Sequence, residues 1–310
     1  MTPLRPEIVT YLENKAALGM PGPGDAPVDL LRANSMPDPH QVGPAEAVHS
    51  VENIFIAGET SYIPVRIYRP SNQKNLPALI YFHGGGWVLS TVDNYDSSLR
   101  SLANKTGCVI IAPTYQKAPE HRFPIPFNDC YATLDWAMSN AEELGIDATR
   151  IGVGGDSAGG NLAAAVALCA RDSEAPALAF QLLIVPCTDY QFNTESGDTY
   201  AEGYGLTKRG MEYFVTEYVD AGDRHHPYAF PMHATNHSDL APAIVITCEY
   251  DVLRDDGAAY VERLAQDGTK VNYIHYDDAH HGTFNCAGIT DLTTKMHLDI
   301  ADAIKQLLEL

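Results

Sequence analysis

A glycine-flanked serine between a strand pattern and a helix pattern most restricts the folds open to this chain. The run Gly155-Asp156-Ser157-Ala158-Gly159-Gly160 follows Arg150-Ile151-Gly152-Val153-Gly154 and leads into Asn161-Leu162-Ala163-Ala164-Ala165-Val166-Ala167-Leu168. An apolar, β-prone segment thus passes through a tight turn into an alanine-rich helix. The glycines two residues either side of Ser157 let strand and helix cross closely, and the serine at the apex is held in a strained backbone. Free N–H groups at the helix start favour negative charge developing beside Ser157. In this setting G-x-S-x-G is the elbow that presents a nucleophilic serine. The alternative is a plain turn, since glycine and serine are common in turns.

The neighbouring sequence repeats the same alternation. Ala78-Leu79-Ile80-Tyr81-Phe82 predicts a buried strand, residues 97–106 a helix, Cys108-Val109-Ile110-Ile111-Ala112 a strand and residues 127–144 a helix. Further strands are expected at 179–185, 243–247 and 271–276, with a closing amphipathic helix at 293–308. Apolar strands alternating with helices predict an α/β fold with a mostly parallel central sheet covered on both faces. Before this core, 51–56 and 62–68 read as two strands joined near Gly58, with Pro64 marking the second as an edge. A helix at 6–18 precedes a proline-broken stretch. Residues 188–241 hold no clear strand, only a helical stretch at 207–218, and are too long for an ordinary loop. The expected organisation is a catalytic domain of residues 51–187 and 242–310. Segments 1–50 and 188–241 would form a helical cap over its site.

A serine nucleophile needs a base and a group to orient that base. In the strand–turn–helix arrangement these follow downstream, acid first and histidine second, each on a loop after a strand. After the strand at 243–247 the nearby carboxylates are Glu249 and Asp251. Asp251 fits better, with Glu249 given a local structural role and Asp255 and Asp256 read as carboxylates at a helix start. After the strand at 271–276, both His280 and His281 are available. Gly282 lets the chain turn sharply beside His281, which is preferred, and His280 stays open. His275 lies within the strand. Acyl transfer also needs oxyanion donors. His83-Gly84-Gly85-Gly86-Trp87 follows the strand ending at Phe82, so the N–H groups of Gly84, Gly85 and Gly86, with that of Ala158, are the expected set. His83 and Asp156 are assigned supporting roles.

Composition narrows the partners. The 310 residues carry 20 basic and 40 acidic side chains, a formal net charge of −20. Such a surface repels nucleic-acid phosphates and anionic lipid headgroups. No run of eighteen apolar residues and no signal-peptide core is found, which predicts a cytoplasmic protein without membrane partners. The six cysteines form no C-x-x-C pair, and Cys108, Cys169, Cys187 and Cys248 read as buried thiols. His225-His226 and His280-His281 lack the spacing of a metal-ligand set, so neither metal nor other cofactor is expected.

Taken jointly, H-G-G-G-W at 83–87, the stretch Tyr115-Gln116-Lys117-Ala118-Pro119-Glu120-His121-Arg122-Phe123-Pro124, G-D-S-A-G-G-N, D-V-L-R-D-D-G at 251–257 and H-G-T-F at 281–284 resemble the hormone-sensitive lipase-like family of bacterial esterases, in its G-D-S-A-G subgroup. The resemblance implies an α/β-hydrolase fold, hydrolysis of short- to medium-chain acyl esters, and a triad at Ser157, Asp251 and His281. The chain departs from the family pattern at Thr114, Gln116, Val252 and Ala279-His280. The implied partner is a small-molecule acyl ester, and a homodimer is left open. An amidase or aminopeptidase would use the same triad. A non-catalytic ligand-binding protein on this fold would lack the base that His281 supplies.

Overall fold

A computed structural model describes residues 2–173 and 177–310. The N-terminal segment holds α1 (Pro6–Ala17), α2 (Val28–Asn34) and α3 (Pro39–Val42). Strands β1 (Ser50–Ala57) and β2 (Tyr62–Arg69) follow. The alternation then runs β3 (Leu76–Phe82), α4 (Asp96–Thr106), β4 (Val109–Pro113), α5 (Ile125–Ser139), β5 (Ile146–Asp156), α6 (Ala158–Asp172) and β6 (Gln181–Ile184). Segment 188–241 contributes α7 (Glu195–Thr199) and α8 (Lys208–Tyr218). The chain closes with β7 (Ala243–Tyr250), α9 (Arg254–Gln266), β8 (Val271–His280) and α10 (Leu292–Leu308).

These strands form one sheet in the order β1-β2-β4-β3-β5-β6-β7-β8. β2 pairs antiparallel with β1 and β4, and every other pairing is parallel. Alternation along each strand divides the core in two. Ala78, Ile80 and Phe82 of β3 and Val109 and Ile111 of β4 face α5, α6 and α9. Leu79, Tyr81, Ile110, Ile244 and Ile246 face α4 and α10. Both faces are therefore apolar, as a parallel sheet sandwiched by helices requires. Ile8 of α1 and Met211, Phe214 and Val215 of α8 join the first of these clusters, so both added segments pack on the same face.

Several expectations need correction. Pro64 does not mark an edge, because β2 lies between β1 and β4. A residue in an antiparallel ladder directs its N–H and C=O to one neighbour. Pro64 C=O accepts from Thr114 N–H at 2.8 Å, one residue past the end of β4, so the missing donor falls where the ladder stops. The helix expected at 127–144 ends at Ser139, where the Asn140 side chain donates to Trp136 C=O at 2.8 Å. The proline-broken stretch contains α2 and α3, too short to show a period in sequence. Cys169 is half-buried, whereas Cys130 and Cys286, not foreseen as such, are fully buried.

Asp255 and Asp256 do open α9, yet neither merely faces solvent at a helix start. Asp255 accepts from Ser196 N–H at 2.8 Å and pairs with Arg254. Asp256 is buried and accepts from Thr188 N–H at 2.8 Å and Thr188 Oγ at 2.9 Å, pinning the start of segment 188–241 to α9. Burial pushes its carboxyl up to about 7, against the hydrogen bonds that favour the anion. The folded state therefore holds this proton more tightly than the unfolded chain, and the stability that Asp256 contributes falls as pH rises from about 4 through 7. Asp256→Asn, which keeps the shape, should flatten that decline, read as thermal midpoint against pH. An unchanged slope would contradict the assignment.

Candidate active site

Strand register brings distant residues together. Phe82 of β3 pairs with Gly155 of β5, and Tyr250 of β7 pairs with His280 of β8. The glycine run thus leaves the sheet beside the elbow, and Asp251 leaves it beside His281. All four segments emerge at the C-terminal ends of parallel strands, where open α/β sheets bind ligands.

Ser157 sits at the elbow with φ 55° and ψ −118°, a left-handed conformation costly for any side chain. The turn is held by Ser157 N–H donating to Ile184 C=O at 2.8 Å. At Gly159 a Cβ would overlap the Phe82 carbonyl oxygen and lie 2.8 Å from that of His83. Only glycine lets α6 start this close to the end of β3.

The two histidines divide by partner. His281 Nδ1–H donates to Asp251 Oδ2 at 2.8 Å, and Asp251 Oδ1 accepts from Leu253 N–H at 2.9 Å. His280 instead sets its Nδ1 2.9 Å from Thr283 Oγ, and burial drives its pKa down to about 3. Burial also disfavours the His281 imidazolium, but Asp251, and more distantly Asp156, outweigh it and raise its pKa. Glu249 has the structural role foreseen for it, accepting from Tyr200 OH and pairing with Arg254, both at 2.6 Å, and with His275 at 3.2 Å. His275 stands exposed on the edge strand β8.

The glycine run is positioned by Asp156. Its Oδ1 accepts from Tyr81 OH at 2.9 Å and Gly84 N–H at 3.0 Å, and its Oδ2 from Tyr95 OH at 2.8 Å. Burial raises the Asp156 pKa, while these donors and His281 act to hold it down. Gly84 N–H, expected among the oxyanion donors, is bonded to Asp156 and the Tyr95 hydroxyl. Among the described residues, the N–H groups of Gly85, Gly86 and Ala158 have no hydrogen-bond partner. His83 stacks on Tyr115 at 4.4 Å and its Nδ1 lies 2.8 Å from Gly84 C=O. Burial lowers its pKa to about 3, so the ring is neutral and the Nδ1–H donates to that carbonyl.

Sequence reasoning missed several residues that fix this geometry. Asn161, though within the elbow motif, accepts from Trp87 Nε1 at 3.2 Å and donates to Cys187 and Ala229 C=O, both at 2.9 Å. Arg32 of α2 donates to Val88 C=O at 3.0 Å and forks onto Glu120 with two bonds of 2.7 Å. Neither contact carries a local signal. Segment 188–241 meets the glycine run directly: a Cβ on Gly86, whose φ is 61°, would enter the Phe214 ring. Trp87 stacks on Tyr218 at 4.3 Å. In that segment Tyr200, Met211, Phe214 and Tyr218 are buried, while Tyr204 and Tyr213 are half-buried. Two departures from the family pattern are absorbed locally: Gln116 amide nitrogen reaches Asp129 at 3.3 Å and Thr60 at 2.8 Å, and Val252 is buried. A cavity of 510 Å³ lies between α2 and the loop at Ser90 and Thr91, with Lys117 on its wall, but its lining includes neither Ser157 nor His281.

The family model for the alpha/beta hydrolase fold matches residues 79–285, a span that holds the glycine run, the elbow and the Asp251–His281 pair. The chain belongs to the α/β-hydrolase fold family. It is 39% identical over 227 residues to an arylesterase of Saccharolobus solfataricus, covering 73% of this chain and 74% of that one. It is 37% identical to the carboxylic ester hydrolase LipN of Mycobacterium tuberculosis, covering 78% of this chain and 66% of LipN. A solved hyperthermophilic esterase from the archaeon Pyrobaculum calidifontis superposes with a TM-score of 0.92 at 35% identity, covering 99% of each chain. The resemblance to hormone-sensitive lipase-like esterases read from the motifs thus holds for this α/β-hydrolase.

Asp156→Ala in this hydrolase would strip two tyrosine hydroxyls of their acceptor and leave Gly84 N–H only the Tyr95 hydroxyl. The expected loss in kcat is about 10²–10³, the scale seen when an oxyanion donor is lost, with a smaller change in KM. Circular dichroism checks that the variant is folded. A folded variant with kcat within twofold of the native chain would show that the carboxylate does not position the loop.

Proposed function

We propose that this carboxylic ester hydrolase cleaves short- to medium-chain acyl esters through an acyl-enzyme on Ser157. His281 accepts the Ser157 hydroxyl proton as the oxygen attacks the ester carbonyl. Asp251 holds the imidazole in the tautomer that leaves Nε2 free, and stabilises the imidazolium that forms. The tetrahedral oxyanion takes hydrogen bonds from Gly85, Gly86 and Ala158 N–H, while Gly84 serves as the anchored end of the loop. His281 then protonates the leaving alcohol, and water repeats the sequence on the acyl-enzyme. The observation that carries this reading is the 2.8 Å Asp251–His281 pair, one residue beyond a paired rung that opens on the same end of the sheet as Ser157.

Segments 1–50 and 188–241 act as the cap in this scheme. Support comes from the Arg32 grip on Val88 C=O and from Phe214 and Tyr218 against Gly86 and Trp87. These side chains bound the acyl pocket and limit chain length. Every catalytic group comes from one chain, so a homodimer would add none. No described helix is long and apolar enough to cross a membrane. Six free thiols, five of them buried, support a reducing cytoplasmic setting.

Ser157→Ala should lower turnover of p-nitrophenyl butyrate by several orders of magnitude while leaving the fold intact, and near-native turnover would sink the assignment. The base must be neutral to act. Because the His281 pKa is raised above the ordinary 6.5, kcat/KM should be full at high pH and fall as pH drops through a midpoint above that value. A midpoint below 6.5 would contradict the Asp251–His281 coupling. The anilide of the same acyl group should turn over far more slowly than the ester; the reverse would make the enzyme an amidase.

A further inference from the structure

Outside the candidate site, two histidines of segment 188–241 form an arrangement that ester hydrolysis does not use. His225 and the more buried His233 face each other through their Nδ1 atoms at 3.5 Å, with ring planes at 89°. Each ring is held from behind. His233 Nε2 lies 3.0 Å from Asp189 Oδ1, a carboxylate oxygen that also accepts from Tyr190 N–H at 2.6 Å. His225 Nε2 lies 3.3 Å from the Tyr190 hydroxyl, which in turn accepts from the Gln191 amide at 3.1 Å. Tyr190 also stacks on His233 at 5.5 Å. His226, the sequence neighbour, takes no part: its Nδ1 accepts from Tyr228 N–H at 3.1 Å.

We propose that His225 and His233 chelate a tetrahedral divalent cation, Zn²⁺, through their two Nδ1 atoms. Two Zn–N bonds of about 2.0–2.1 Å at a tetrahedral angle place the nitrogens roughly 3.3–3.4 Å apart, close to the spacing already present. A square-planar ion would need them about 2.8 Å apart and so a larger movement of both rings. The Asp189 contact fixes the proton of His233 on Nε2 and leaves the Nδ1 lone pair for the metal, the carboxylate–histidine support typical of such ligands. In the metal-free chain His225 Nδ1–H donates to His233 Nδ1. On binding, that proton moves to His225 Nε2, where the Tyr190 oxygen accepts it.

Among the described residues no cluster of three or more metal-ligating side chains occurs, so water completes the coordination and the ion stays exchangeable. Arg224, 5.9 Å from the centre of the Tyr190 ring, opposes a cation, and the Asp189 charge offsets it. The consequence is mechanical. The metal would close residues 225–233 into a ring. Within that ring, Ala229 C=O is bound by Asn161, and Phe230 meets Trp87 edge-on at 6.1 Å. Zinc therefore braces the part of segment 188–241 that rests against the elbow helix and the glycine run.

The test is a titration of the chelator-stripped full chain with ZnCl₂ alone, followed by calorimetry and by the thermal unfolding midpoint. The native chain should take up one equivalent and unfold at a higher temperature. Either His225→Ala or His233→Ala should lose that equivalent and the thermal gain. Asp189→Asn should weaken binding about tenfold or more. Metal-free His225→Ala should hydrolyse p-nitrophenyl butyrate as the native chain does, which shows it is folded. A native chain that binds no zinc, or both alanine variants keeping the full equivalent, would overturn the proposal.

Discussion

The approach of Gly159 to the Phe82 carbonyl is the constraint on which the rest of the site depends. It lets α6 begin against the end of β3, so the elbow after β5 and the glycine run after β3 share one small volume. Ser157 must then adopt φ 55° to turn from strand to helix, and the surrounding ladder enforces that conformation. Neighbouring parallel strands lie about 4.8 Å apart, and this spacing sets Asp251 beside His281 in the same way. A larger residue at 159 would disturb more than packing: it would move the loop that carries the free N–H groups away from the serine.

Buried charge is arranged to serve this geometry. Asp156 is held by two tyrosine hydroxyls and one backbone N–H, which ties its negative charge to the loop it positions. It also reinforces Asp251 in favouring a charged His281. A charged His281 is therefore favoured from two sides, while His83 and His280 are kept neutral by burial. Three histidines near one site thus have different roles because of what surrounds each ring. The surplus of acidic residues elsewhere lies mostly at the surface and bears on solubility and partner choice.

What was legible in the sequence follows the range of the physical signal. The elbow, the glycine run and the order of acid and histidine are local patterns, and each sits where a strand ends. Apolar runs announced the parallel strands because both sheet faces are covered. The role of Pro64 depended instead on strand order, which no local pattern encodes. Gly84 was expected among the oxyanion donors because its sequence cannot reveal that Tyr95 and Asp156 claim its N–H. Asp256 read as a helix-start carboxylate, while its partner Thr188 lies far away in the chain. The same limit hid His233 behind the adjacent pair His225-His226: the ring that meets His225 lies eight residues on, across an irregular loop.

The central claim is that Ser157 is the nucleophile, activated by His281. Mapping the adduct of a fluorophosphonate by mass spectrometry tests it directly, because covalent capture reports the attacking atom itself. The native chain should carry one phosphonyl group on Ser157, with labelling slowed by a competing ester and abolished in His281→Ala. An adduct on another residue, or ester turnover that continues in fully labelled protein, would contradict the account.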